Sequence, residues 1–313
     1  MSPLTTGRLS VFLFHKIPRQ SSPLVPEDMD LVRFEHVLDE VLSAFHVLPL
    51  DEAVRCLESG KLPARSACIT FDDGYPDWLA GAVPALRKRN LHATFFITSG
   101  QFSGRPLWNE RVLTAVGHQT GPVIQLSHHA LANVPVATLM QRQAAIRQLD
   151  QELKYLTLYR REQLLTELDE QCVTTTSSVP VMTIEALREL HSQGFGIGAH
   201  TIDHPILTYC SAQEVEREVG GVREELESIV GGRIYGFAYP NGRPYADFSS
   251  HHVRAVRRVG YRYAVTTHWG AATAGSSPFQ IPRFTPWAPN TLRALYQMAS
   301  NLIAAPMELD EIP

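Results

Sequence analysis

Two carboxylates stand side by side in Thr70-Phe71-Asp72-Asp73-Gly74, and two imidazoles stand four residues apart in His200-Thr201-Ile202-Asp203-His204-Pro205. The first pair closes the apolar run Ala67–Phe71, ahead of a glycine that lets the chain turn sharply. The second is spaced so that one turn of chain presents both rings to the same point. Two neutral imidazoles and one carboxylate are a ligand set for a catalytic divalent cation that keeps a further position open for water. Only one of Asp72 and Asp73 is needed for that set, and the other is left free to act as a base. Either fragment alone is commonplace, since paired Asp before Gly caps turns and His-x-x-x-His arises readily among 13 histidines. Their shared context says more. Phe195–Ala199 (Phe-Gly-Ile-Gly-Ala) is also a short β-rich run, and loops after strands are where α/β enzymes gather their chemistry.

The elements that must hold these loops can be followed along the chain. Apolar β-rich runs at Leu9–Phe14, Ala67–Phe71, Ala93–Ile97, Phe195–Ala199, Tyr235–Ala238, Tyr263–Thr266 and Gln280–Phe284 alternate with helical patterns. The helical patterns are Leu31–Ala44, Leu50–Ser59, Trp78–Arg89, Ile184–Gln193, Ser211–Val230, Asp247–Val259 and Thr291–Ala305. Ser211 and Glu214 have the spacing of a capping box. Such alternation predicts an α/β fold with a mostly parallel sheet and helices outside, and about seven strands close most economically as an irregular (β/α)7-type barrel. In a parallel strand successive side chains face opposite ways, so Asp72 and Asp73 converge only if the strand ends before them.

From about residue 104 to 180 the strand signal disappears. Met140–Glu170 reads as helical and charged, and Thr174–Pro180 as a polar linker. The whole chain, 1–313, is therefore expected to be one barrel domain carrying a helical insertion. That insertion is either a lid or substrate wall using Trp108, Tyr155 and Tyr159, or a packing appendage. The pairs His128-His129 and His251-His252 are expected to be solvated. Gly194–Gly198 lacks the dinucleotide-binding spacing, and neither a G-x-S-x-G elbow nor an H-E-x-x-H motif is present.

At 313 residues the chain is long enough for one large α/β core. A formal charge of −4 without any basic run argues against nucleic acid as a partner. No apolar segment approaches the ~18–20 residues that cross a bilayer. Met1–Arg8 lacks the pattern of a secretory leader, and Cys56, Cys68, Cys172 and Cys210 show no C-x-x-C spacing. A cytoplasmic protein with reduced thiols is the expectation. The sequence leaves the oligomeric state open.

In its order of motifs the chain resembles the NodB-homology polysaccharide deacetylases, carbohydrate esterase family four. The first motif of that family, T-F-D-D-G, is Thr70–Gly74, and the second, H-[ST]-x-x-H, is matched by His200, Thr201 and His204. Phe237-Ala238-Tyr239-Pro240-Asn241-Gly242 looks like the F-x-Y-P-x-G variant of its third motif, and the resemblance runs from about Val11 to Phe284. It implies a barrel, a divalent metal (zinc foremost, cobalt or nickel otherwise) on Asp73, His200 and His204, and Asp72 as general base. It also implies that the Asn241 N–H steadies the oxyanion. Two departures stand out. Ala238 occupies the place of an arginine that orients the base, a role Arg283 could fill from Ile281-Pro282-Arg283-Phe284. The usual late catalytic histidine is also missing. His15, after the first strand, is the preferred general acid because an exopolysaccharide-forming branch of the family shares an early [YF]-H and lacks the late motif; His268 is the rival. The implied activity is hydrolysis of an N-acetyl or O-acetyl group on a sugar or glycan precursor, nucleotide- or lipid-linked if the chain stays in the cell. A non-sugar amide or imide hydrolase, or a carbohydrate-binding descendant without turnover, are the alternatives.

Overall fold

The computed structural model describes residues 6–171, 179–286, 291–305 and 307–310, so Cys172 and most of the expected linker at Thr174–Pro180 lie outside the described residues. Among the described residues the strands are β1 (Leu9–Phe14), β2 (His46–Val47), β3 (Ser66–Phe71), β4 (Thr94–Ile97), β5 (Val123–Ile124), β6 (Val134–Pro135), β7 (Gly196–Ala199), β8 (Gly236–Ala238) and β9 (Tyr263–Val265). The helices are α1 (Leu31–Ala44), α2 (Leu50–Glu58), α3 (Ala82–Lys88), α4 (Trp108–His118), α5 (Leu139–Lys154), α6 (Leu158–Glu170), α7 (Ile184–Ser192), α8 (Ala212–Glu216), α9 (Val222–Val230), α10 (Ser250–Val259) and α11 (Thr291–Ile303).

The main sheet is parallel, in the order β1-β3-β4-β7-β8-β9, with the short β2 beside the start of β3. Alternation along the strands sorts side chains into two cores. Phe12, Phe14, Ile69, Phe71, Phe95 and Ile97 pack outward against the helices. Leu9, Val11, Cys68, Phe96, Ala238 and Val265 pack inside the curl, joined by the apolar face of α2. The sheet is therefore curled with helices outside, as the alternation of elements predicts.

Its closure differs from expectation. Gln280–Phe284 is not a seventh ladder strand; it meets each edge strand at one parallel bridge, Ile281 with Val265 and Phe284 with Phe12. Backbone bonds on one side run between Ile281 and both Ala264 and Thr266, and on the other between Phe284 and both Val11 and Leu13. Pro282 separates the two bridges and has no N–H to extend either into a ladder. The segment works as a strap.

Other expectations are corrected in detail. The pattern at Trp78–Arg89 begins as a 3-10 turn, Pro76–Leu79, and α3 starts only after Gly81. Ser211–Val230 has the expected capping box at Ser211, but a π-type turn at Arg217–Gly221 divides it into α8 and α9. His252 is not solvated: it is buried, and its Nδ1 accepts the Ser249 N–H at 2.9 Å to cap α10. Burial pushes its pKa down to about 4, so it caps as a neutral ring.

The insertion, placed between β4 and the α7–β7 unit, builds a core of its own from α4, α5, α6 and the antiparallel pair β5–β6. Val116, Leu131, Leu149, Leu165 and Leu168 are completely buried there. The β5–β6 pair was not legible because two-residue strands are too short to show a period.

Narrowness inside the curl explains the glycines of β7. A Cβ on Gly198 would lie 2.3 Å from the Phe96 ring on the neighbouring strand, and that ring is completely buried. Gly198→Ala should therefore cost about 1–3 kcal/mol of stability, the range for overpacking a filled core. Chemical denaturation measures it, and a loss below a few tenths of a kcal/mol would contradict this packing.

Candidate active site

Asp72 extends β3 by one residue: its N–H still bonds to Phe14 O at 3.0 Å, and its side chain shares the inward parity of Cys68 and Thr70. The strand then breaks. Asp73 adopts φ +84°, Gly74 adopts +92°, and the turn brings the second carboxylate round to the same end of the barrel. Gln101, fully buried after β4, fixes this turn by donating from Nε2 to Asp73 O at 2.8 Å and Gly74 O at 3.1 Å. A Cβ on Gly74 would sit 2.9 Å from that same nitrogen, so glycine is required by both space and backbone.

The loop after β7 supplies the imidazoles. Its Thr201 and His204 are also left-handed, at +66° and +51°. His204 N–H donates to Thr201 Oγ1 at 3.1 Å, so the threonine hydroxyl closes the turn that aligns the two rings. Both Nε2 atoms stand 3.2 Å from Asp73 Oδ1. The ligand atoms of Asp73, His200 and His204 all lie within 4.8 Å of one another.

Three observations test whether this trio fits a divalent cation. Asp73 Oδ1 is buried without a hydrogen-bond partner among the described residues. His200 Nδ1 lies 2.8 Å from Ala238 O, which assigns the proton to Nδ1 and leaves Nε2 a bare lone pair aimed at Asp73. Burial opposes ionisation of Asp73, but the facing imidazoles outweigh it and hold its carboxyl well below the usual range. At His200 burial is likewise outweighed, by Asp72 and Asp73, leaving the ring above its ordinary pKa; at His204 burial wins and lowers it. Convergent lone pairs around an orphaned carboxylate oxygen fit a cation.

Asp72 meets Arg283 instead. The strap carries Arg283 into the barrel end with no exposed surface, where Nη1 and Nη2 bind Asp72 Oδ1 and Oδ2 at 2.6 and 2.5 Å. Nε donates to Thr266 O at 2.8 Å, Nη1 reaches Thr70 Oγ1 at 3.3 Å, and the guanidinium lies 5.6 Å from the centre of the Phe96 ring. Burial would raise Asp72, but the charges of Arg283 and His200 outweigh it and keep the carboxyl below its ordinary value. Asp72 Oδ2 is 3.9 Å from His200 Nε2, so base candidate and ligand trio share one floor.

Above that floor lies a cavity of about 620 Å³, bordered by Asp72, Asp73, His200, His204, His15, Asn241 and Thr267. Asn241 is left-handed at φ +56°, and its carbonyl accepts from the Thr267 hydroxyl. His15 is exposed to the cavity. His268 is partly buried and absent from the lining; its carbonyl instead accepts the Arg283 N–H at 3.0 Å. Trp108, Glu110, Ile146 and Asp150 bring the insertion into the wall. Of the three aromatics expected there, only Trp108 takes part. Tyr159 is 74% exposed, and Tyr155 bonds through its hydroxyl to Arg243 outside the cavity.

Residues 59–264 match the polysaccharide deacetylase family. The chain belongs to that family. It is 21% identical over 278 residues to "Putative polysaccharide deacetylase YxkH" of Bacillus subtilis (strain 168), covering 88% of this chain and 71% of that protein. It is 33% identical over 75 residues to a chitooligosaccharide deacetylase of Azorhizobium caulinodans, covering 24% of this chain and 34% of the other. Among solved structures, the Streptococcus pyogenes deacetylase PplD in complex with acetate superposes with a TM-score of 0.64 at 18% identity, covering 94% of this chain and 99% of that one. IcaB from Ammonifex degensii gives 0.60 at 16% identity, covering 96% and 99%. These likenesses establish the fold, and membership establishes a deacetylase, a hydrolase of acetylated carbohydrate. No helix among the described residues is long and apolar enough to cross a membrane.

Two polar residues of the site escaped the sequence reading. Glu218, completely buried in the π-type turn, accepts from the Ile202 and Asp203 N–H groups at 2.9 Å each. Arg161, 4% exposed on α6, donates to the Asp203 and His204 carbonyls at 2.5 and 3.0 Å. Each stands within an apolar stripe, Glu218 among Val215, Val219 and Val222, and Arg161 one turn before Leu164 and Leu165. A charge on such a stripe was the available signal.

Removing Arg283 leaves Asp72 buried and unpaired, which typically costs about 3–5 kcal/mol. Arg283→Met should show a loss of that order at neutral pH. The wild-type carboxyl has a lowered folded pKa, so its contribution is present above the unfolded value of ~3.9 and lost as pH falls through the folded value. In the variant the Arg283 charge and hydrogen bonds no longer offset burial, so the folded pKa rises and the stability that ionised Asp72 contributes above ~3.9 is lost. The deficit should therefore shrink on acidification, and Asp72→Asn added to Arg283→Met should lose less than the two single losses combined. Denaturation at several pH values checks both, and a pH-independent deficit would contradict the pairing.

Proposed function

We propose that this chain is a metal-dependent deacetylase that releases acetate from an acetamido group on a sugar or glycan precursor. The observation that carries the reading is the buried trio Asp73, His200 and His204, with Asp72 held beside it by Arg283. The trio would hold a divalent cation, zinc before cobalt or nickel, because two imidazoles and one carboxylate suit it. Such an ion, when bound, supplies Lewis acidity.

The chain's own residues supply the rest. Asp72, ionised and pinned by two hydrogen bonds, takes the proton of the attacking water. Arg283 keeps that carboxylate oriented, which answers the missing arginine at Ala238 and weakens the case for a binding protein without turnover. The Asn241 N–H, at the cavity edge and without an acceptor among the described residues, donates to the oxygen that becomes negative. His15 gives a proton to the departing nitrogen, so the products are acetate and a free amine. Its place in the lining favours it over His268.

The cavity volume lies within the ~300–1,000 Å³ range of small-ligand sites, which supports one or two sugar units in contact at a time. Cys56, Cys68 and Cys210 are free thiols, which supports a reducing compartment and a nucleotide- or lipid-linked precursor. An activity panel of N-acetylated sugars, acetylxylan and small imides, with and without added metal, tests the reading. Hydrolysis of imides alone would replace it with the non-sugar amidase.

His200→Ala should lose stoichiometric metal, whereas Asp72→Asn should retain it and lose ~10²–10⁴-fold in turnover. Elemental analysis beside rate measurements decides this, and loss of metal in Asp72→Asn would reverse the roles of the two aspartates.

His15→Ala should damage amide hydrolysis far more than hydrolysis of an aryl acetate, whose phenolate departs without a proton. His268→Ala should leave that ratio unchanged. A selective amide defect in His268→Ala would move the acid there.

A further inference from the structure

The loop that carries His204 is gripped from two sides by buried charges. Glu218 takes the N–H groups of Ile202 and Asp203, while Arg161 takes the carbonyls of Asp203 and His204. Between these grips Thr201 and His204 hold left-handed backbone, which costs a non-glycine residue about 1–3 kcal/mol unless its surroundings impose it. Glu218 belongs to the barrel, but Arg161 comes from α6 of the insertion. Arg161 has no carboxylate within 4.0 Å among the described residues, so its desolvation is offset by the loop carbonyls and by the Trp108 ring, 5.2 Å from the guanidinium carbon. Burial lowers its pKa to about 10, which leaves it charged at neutral pH.

We propose that Arg161 is a positioning residue for the metal ligand His204, so that the insertion completes the metal centre as well as walling the cavity. This rests on the metal reading above. Its guanidinium is planar and forked, so it grips two consecutive carbonyls at once; an ammonium is a single point of charge. The same side chain supports Trp108, which lines the cavity, so the wall and the ligand loop are set by one residue.

The test is zinc affinity of the metal-free protein, measured by competition with a chromophoric chelator. Arg161→Met should weaken zinc binding ~10–100-fold, the range for losing a partner that orients a ligand, and Arg161→Lys should fall between it and wild type. Arg111→Met is the control. Arg111 ties α4 to the same helix through Glu162 and Asp169 at 2.8 and 2.7 Å but, among the described residues, makes no hydrogen bond or ion pair with the ligand loop, so it should lower stability and leave zinc affinity unchanged. Wild-type zinc affinity in Arg161→Met would overturn the proposal, as would equal weakening in Arg111→Met, which would show that docking of the insertion is all that matters. If Arg161→Met does not fold, wild-type affinity in Arg161→Lys overturns it alone. Wild-type protein that binds no zinc would instead remove the metal reading itself.

Discussion

A buried carboxylate oxygen faced at 3.2 Å by two imidazole nitrogens cannot be left to itself. If both rings are neutral, three lone-pair donors crowd one small buried volume; the arrangement is favourable only when positive charge, as protons or a cation, sits among them. Much of the surrounding structure answers that demand. Asp73, Thr201, His204 and Asn241 are four of the seven non-glycine residues with positive φ among the described residues, so unfavourable backbone is concentrated around this point. Such strain persists because its neighbours over-determine it. Gln101 holds the Asp73 turn, Ala238 O fixes the His200 ring, and the opposite charges of Glu218 and Arg161 grip the His204 loop.

Beside the trio, a second carboxylate must stay ionised in an apolar enclosure, and the Arg283 fork makes this possible. The same bond has an architectural consequence. Arg283 joins the strap to the end of β3, across the place where Pro282 prevents a continuous ladder, so side-chain electrostatics help close a curl that backbone pairing leaves incomplete. The Asp72 carboxylate and the closure thus share one interaction. Phe96 lies beneath the guanidinium and fills the space that Gly198 leaves open, which ties the packing of β4 and β7 to the orientation of Asp72.

Most of this was legible in the sequence where the signal was local. Six of the seven anticipated strands form ladders, because strands that pack on both faces are read directly from apolar runs. Asp72, Asp73, His200 and His204 come together because the strands before them are neighbours or next neighbours in one parallel sheet. The seventh strand failed at Pro282, whose consequence depends on hydrogen bonds to two other strands. His252 was misjudged for a related reason: Ser249 and His252 have a cap's spacing, but burial under the helix is a tertiary property. Glu218 and Arg161 were missed because amphipathic periodicity weights apolar positions and passes over the polar residue among them. That residue is informative, since a charge on a buried stripe must find partners, and here the partners are the backbone of the ligand loop.

The insertion bears on how the cavity of this deacetylase is bounded. Loops after parallel strands all rise at one barrel end, so a site there is open unless something is added to its rim. Here the addition has a hydrophobic core separate from the barrel's, reaches the site with Trp108 on one helix and Arg161 on another, and places the indole against the guanidinium. A side chain that lines the cavity and a side chain that holds the His204 loop are therefore in contact. Changing the wall would disturb the support of His204, and loosening that support would displace the wall. The cavity wall and the loop that carries His204 are coupled through one pair of side chains, so the insertion cannot be exchanged without consequence for that loop.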